Sequence, residues 1–307
     1  MSFSPKEHQP RGASTRGRAR RSSVQGNQPR LTLKSAGVHP SKARGQNFLV
    51  QQSVARQIVS AADICAEDMI VEIGPGLGIL TEQIVAAGPR HLVLVELDSR
   101  LAAMLKARFG GDDRIEVLNR NFLKVTRPEL AGEGLKVLGN LPFGAATAIL
   151  RHLCDYRESI ARMVLMFQRE VGERIRAVPG ARNYGALSVF SSLYWRVNSH
   201  FRVAAGSFYP RPKVDAEVLV MEPYAVRDLN SADEAGLRAT IHAVFSAPRK
   251  TIRNSLAGGL GVDTNTVEEA LLRAKIDPCL RPAMLDCSQL IALAGILRPA
   301  SSPPYRA

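Results

Sequence analysis

From about Asn47 onward the apolar positions of this chain fall into short blocks that change period as they go. Phe48, Leu49, Val54, Ile58 and Val59 recur at helical spacing, which predicts one helical face. Residues 69–73 read as a buried strand, followed by glycines at 74, 76 and 78 and a helical stretch over 79–87. Further strands are predicted over 91–96, 114–118, 135–139 and 161–166, with helices over 98–109, 145–155 and 168–177 between and after them. Strands that alternate with helices predict an α/β fold, a parallel sheet covered on both faces.

The pattern then shifts. Residues 197–203 and 216–221 read as a strand pair joined through the Pro-rich turn Tyr209-Pro210-Arg211-Pro212, an antiparallel addition to the sheet edge. From about Asn230 the chain reads as helical to near Leu297. The expected organisation is therefore a disordered tail over residues 1–40, a main domain over 41–225 and a small helical domain over 226–300. No apolar run reaches the roughly 18–20 residues that a membrane helix needs, and the N-terminus lacks the apolar core of a secretory signal.

Charge changes the picture. The formal net charge is +13, which points to phosphate-rich partners, and nucleic acid comes before membrane because no amphipathic basic helix is evident. In residues 1–45, ten Lys and Arg against the lone Glu7 contribute +9 and leave only +4 for the rest. Such a segment reads as an arm that adds sequence-independent RNA affinity. A solubilising tail and an Arg/Ser-rich transit peptide are the alternatives. The four cysteines form no C-x-x-C pair, so reduced thiols in a reducing compartment are expected, and no metal site.

Two motifs carry chemistry. The glycines let the backbone turn tightly and approach a ligand closely. A dinucleotide fingerprint would want a small residue at position 79, which here is Ile79. With Glu72 ahead of the loop the pattern becomes E-x-G-x-G-x-G, which favours S-adenosylmethionine. Glu96 ends the second strand, where a carboxylate can take both ribose hydroxyls. Asn140-Leu141-Pro142-Phe143 follows the fourth strand at its carboxyl end, where α/β sheets bind ligands. The exocyclic amine of adenine is a poor nucleophile because its lone pair is delocalised. The Asn140 side-chain oxygen and the Leu141 carbonyl can both accept from it and aim that lone pair at a methyl carbon. Pro142 stiffens the turn, and Phe143 offers a stacking face to an extruded base. Catalysis is then positioning and electrostatics.

With these residues the chain resembles the ribosomal RNA adenine N6-dimethyltransferases over roughly residues 42–297. Gly45-Gln46-Asn47-Phe48-Leu49 is similar to the family's N-terminal cofactor motif, residues 71–78 to its glycine motif, Val95-Glu96-Leu97-Asp98 to its ribose-binding motif and residues 139–143 to its catalytic motif. The resemblance implies a class I Rossmann-like methyltransferase fold with a mostly parallel seven-stranded sheet. It also implies that Asn47, Leu49, Gly74, Gly76, Glu96 and Asn140 line the cofactor site. One departure stands out. The family usually carries an Asp that accepts from the cofactor's adenine amine; Asn121 takes that place here, and its amide oxygen is expected to accept the same bond without the charge. Phe143 replaces the more usual Tyr and does not settle the branch.

The C-terminal half resembles the small-subunit branch, at residues 168–175, 184–188, 207–215 and 245–256. The last of these is basic and is expected to contact RNA backbone. Phe208 is a candidate to stack on the target base opposite Phe143, or else a core residue. The implied activity is small-subunit rRNA adenine N6,N6-dimethylation at adjacent adenosines of a 3′-terminal hairpin, by a cytoplasmic monomer acting on ribosomal RNA within the small subunit. The alternatives are a resistance methylase of large-subunit rRNA and an assembly factor whose methyltransferase site is secondary.

Overall fold

The computed structural model describes residues 46–130, 132–224 and 231–297, together with residues 1, 33, 37 and 40. A seven-stranded sheet organises the chain. In chain order its members are β2 (Met69–Ile73), β3 (His91–Glu96), β4 (Ile115–Asn119), β5 (Leu135–Asn140), β6 (Ile160–Gln168), β7 (Trp195–Val203) and β9 (Ala216–Pro223). They lie in the order β4-β3-β2-β5-β6-β9-β7. All neighbouring pairs from β4 to β6 are parallel, and β9 runs antiparallel to both β6 and β7. The antiparallel addition expected at the edge is present, with β9 inserted inside β7.

Side chains alternate across the strands and build two apolar layers. Ile70, Leu92 and Leu94 face α1 (Gln52–Ala62), α2 (Ile79–Ala87) and α3 (Ser99–Phe109). Val71, Ile73, Val93 and Val95 face the other way, onto α4 (Ala146–Cys154) and α6 (Ala186–Tyr194). The short helix α5 (Arg169–Ile175) follows β6. The C-terminal helices are α7 (Ser231–Val244), α8 (Ile252–Leu260), α9 (Thr264–Arg273) and α10 (Cys287–Leu297). Leu237, Ile241, Leu256 and Leu290 of these helices join the same layer as Val71 and Ile73, so the two regions share continuous apolar packing.

Three expectations need correction. Phe48 and Leu49 are not helical. They form β1 (Phe48–Leu49), which pairs antiparallel with β8 (Phe208–Tyr209), and the helix begins only at Gln52. The chain between the expected strand pair is thus more than a turn, since it supplies β8. Helix α6 was not anticipated. Seven of its nine residues are buried, so it has no polar stripe from which to read a period. The tail does not stay free as far as residue 40. Leu33 is buried against Phe48, Leu77 and Leu101, and the Gly37 carbonyl accepts from the Arg100 guanidinium at 2.8 Å. The rest of the tail, residues 1 and 40 apart, and the expected boundary at 225/226 lie outside the described residues. No described helix is long and apolar enough to cross a membrane.

Candidate active site

After β4 the chain crosses back to the other side of β2 to lay down β5, so strand order reverses between β2 and β5. A crevice opens at the carboxyl ends of strands beside such a reversal. A cavity of about 330 Å³ lies there. Its wall brings together Asn47, Gly74, Gly76, Glu96, Asn121, Asn140, Leu141, Pro142 and Phe143, residues contributed by four adjacent strand ends and the segment before β1.

The glycine loop and Glu96 are locked to each other. Gly76 has φ +57°, and a Cβ there would stand 2.9 Å from the Phe48 ring, so both backbone and space exclude a side chain. Its N–H donates to Glu96 Oε2 at 3.0 Å, while the Asp98 N–H donates to Oε1 at 2.9 Å. Each carboxylate oxygen keeps a lone pair for a further donor. Burial pushes the Glu96 carboxyl above the usual carboxylate range, against the pull of those two backbone amides. Below the loop Glu72 is fully buried, and burial pushes it up to about 8 despite a hydrogen bond donated by Thr81 Oγ1 at 2.7 Å. Asp98 is also the N-cap of α3 and accepts from the Arg100 backbone and guanidinium, which hold its carboxyl low.

The two asparagines are oriented by different partners. Asn140 Nδ2 donates to the Asn47 carbonyl at 3.0 Å. That bond assigns the amide, because only the nitrogen can donate, and it leaves Oδ1 as the group offered to the cavity. Asn121 is fixed the other way. Its Oδ1 accepts from the Leu123 N–H at 3.0 Å, capping the short 3-10 turn Phe122–Lys124.

Two expected residues are not brought to the cavity. Leu49 and Phe208 face each other across the β1–β8 pair, and both side chains are buried in the layer beneath α1. Phe208 is 3% exposed and is a core residue with no open face for a base. Conversely, Leu97 and Leu123 line the cavity and are 57% and 38% exposed. An apolar residue directly after a strand-end Glu, and another two positions after Asn121, was the available signal. Phe48, Asp98 and Arg120 also line it.

The family model for ribosomal RNA adenine dimethylases matches residues 40–291. The chain belongs to the ribosomal RNA adenine dimethylase family. It is 38% identical over 267 residues to the ribosomal RNA small subunit methyltransferase A of Geobacter metallireducens, covering 85% of this chain and 97% of that protein. It is 40% identical over 262 residues to the protein of the same name from Syntrophotalea carbinolica, with 85% and 97% covered. Among solved structures, a dimethyladenosine transferase from Plasmodium falciparum superposes with TM-score 0.66 at 24% identity, over 80% of this chain and 95% of that one. The 23S rRNA methyltransferase ErmE gives 0.60 at 25% identity, over 82% and 99%. As an adenine dimethylase the chain uses S-adenosylmethionine, and the cavity fits that cofactor. Glu96 keeps lone pairs for ribose hydroxyls, Leu97 and Leu123 offer apolar faces to a base, and the absent Gly76 Cβ leaves room along the loop.

Proposed function

We propose that this dimethylase acts on the small-subunit rRNA, modifying adjacent adenosines of a 3′-terminal hairpin during ribosome maturation, as a cytoplasmic monomer. The observation that carries the chemistry is the Asn140–Asn47 bond, which turns a carbonyl oxygen toward the cavity. When bound, S-adenosylmethionine supplies a methyl group on a sulfonium that is already a good leaving group. The protein's task is to present the amine. Asn140 Oδ1 and the Leu141 carbonyl accept its two N–H groups and turn its lone pair out of the ring plane. Pro142 fixes the turn that sets these acceptors, and Phe143 stacks on the base. Preorganised acceptors of this kind cost nothing to reorganise during the reaction.

The small-subunit reading is supported by identities of 38% and 40% to relatives named for that subunit. We assign the methyltransferase unit to 41–225 and RNA contact to the helical unit 226–300. Arg249 and Lys250 are exposed ahead of α8, free to meet phosphates, whereas Arg253 is engaged with Glu268 at 2.9 Å. Methylation of small- and large-subunit particles from a strain lacking the modification, with mass-spectrometric mapping, tests the assignment. Methyl groups on adjacent small-subunit adenines are expected. Methylation confined to large-subunit RNA would overturn it.

A further inference from the structure

The four strand ends that wall the cavity follow one another across the sheet. Asn140 ends β5, the glycine loop leaves β2, Glu96 ends β3 and Asn121 follows β4. Adjacent strands lie about 4.8 Å apart, so β5 and β4 are separated by roughly 14 Å. With methyl transfer at Asn140 and the ribose at Glu96, Asn121 stands at the base end of the cofactor, on a wall it shares with Leu97 and Leu123.

What Asn121 offers that base is decided by its backbone neighbour. Of the two polar atoms of the Asn121 side chain only Oδ1 can accept the Leu123 N–H, and it does so. Nδ2 has no hydrogen-bond partner among the described residues, and it is a donor. The exocyclic amine of adenine is a donor too, so the two repel each other if placed together. The ring nitrogens that flank the amine, N1 and N7, are acceptors.

We infer that Asn121 reads the cofactor's adenine by donating to a ring nitrogen beside the amine, and that the amine itself is not recognised at this position. The inference rests on the S-adenosylmethionine reading of the cavity. It makes Asn121 a specificity residue whose polarity is set by the Leu123 amide. A carboxylate at the same place could cap Leu123 with one oxygen and take the amine with the other, so Asn121→Asp reverses the preference without disturbing the cap.

Isothermal titration of the full chain with S-adenosylhomocysteine, its 1-deaza and 7-deaza analogues and its 6-desamino analogue tests this. In the wild type, removing one of the two ring nitrogens should weaken binding about three- to tenfold, the range of one hydrogen bond. Removing the amine should change it by less than about twofold. In Asn121→Asp the order should reverse, with the amine now costing more than either nitrogen. If amine removal costs the wild type most, or if the variant keeps the wild-type order, Asn121 does not read the base this way. If S-adenosylhomocysteine itself fails to bind, the cofactor reading falls first. The wild-type series needs no variant, so a poorly folding Asn121→Asp would not shelter the proposal.

Discussion

Asn140 and Asn121 stand at opposite ends of one cavity, carry the same side chain and present opposite polarity to it. Beside β5, at the proposed target end, a backbone carbonyl, that of Asn47, takes the amide nitrogen and leaves an oxygen. Beyond β4, at the proposed base end, a backbone amide, that of Leu123, takes the oxygen and leaves a nitrogen. An asparagine is therefore not a fixed donor or acceptor. The main-chain group beside it chooses, and the ligand meets what remains.

The sharpest way to break this comparison is to remove the acceptor at the target end. Asn140→Ala should lower the single-turnover rate on under-methylated small subunits by about 10²–10³, the usual cost of one preorganised group at a reacting centre. Asn140→Asp restores an oxygen but points a second one at the Asn47 carbonyl, so it should recover only part of the loss. RNA affinity should hardly change, because phosphate contacts dominate it. A rate within threefold of wild type for Asn140→Ala would sink its role.

Between the two ends, Glu96 should matter for binding and not for orientation. Glu96→Ala removes a charged acceptor from the ribose and also frees the Gly76 and Asp98 amides that it holds. A loss on the order of 1.5–3 kcal/mol in cofactor affinity is expected by calorimetry. Unchanged affinity would put the ribose elsewhere.

Much of this was legible in the sequence, and the exceptions share a cause. The glycine loop, Glu96 and residues 140–143 were readable because each is a local pattern at a strand end. The Asn140 oxygen was expected as an acceptor, but the bond that turns it to the cavity was not legible, because its partner Asn47 is 93 positions away in sequence. The β1–β8 pair, which buries Phe208 and removes it from the site, likewise joins segments far apart along the chain. Helix α6 was hidden because burial on all sides leaves no period. Asn121 was legible as a residue but not as a donor, since its cap on Leu123 depends on the turn that follows β4.

A smaller effect should come from the carboxyl under the loop. In the unfolded chain Glu72 loses its proton near its ordinary value of 4.5, whereas in the folded protein it holds the proton to about 8. Between those values the folded state binds more protons, so wild-type stability falls as pH rises through that window and levels off above it. Glu72→Gln keeps an oxygen for the Thr81 hydroxyl and does not titrate. Its melting temperature should gain on wild type by a few degrees as pH rises from about 5 to about 8. A difference independent of pH would show that Glu72 is ionised throughout.

The smallest expected effect separates the two ends through the N-terminal segment. Leu33 packs on Phe48, and Phe48 follows Asn47, the residue that orients Asn140; nothing described links Leu33 to Asn121. Deleting residues 1–30 should lower RNA affinity chiefly at low salt, because Arg and Lys that release counterions are removed. Affinity for S-adenosylhomocysteine should stay within about twofold. Deleting residues 1–40 also uncovers Phe48, Leu77 and Leu101, and should weaken that affinity a further few-fold, since two of these three residues wall the cavity. The 1-deaza, 7-deaza and 6-desamino penalties should be the same in both truncations, because the base end is untouched. Leu33→Ala in the full chain should reproduce the cofactor loss without the change in salt slope. If both truncations bind the cofactor alike, Leu33 covers the wall without supporting it, and Asn47 orients Asn140 without help from the tail.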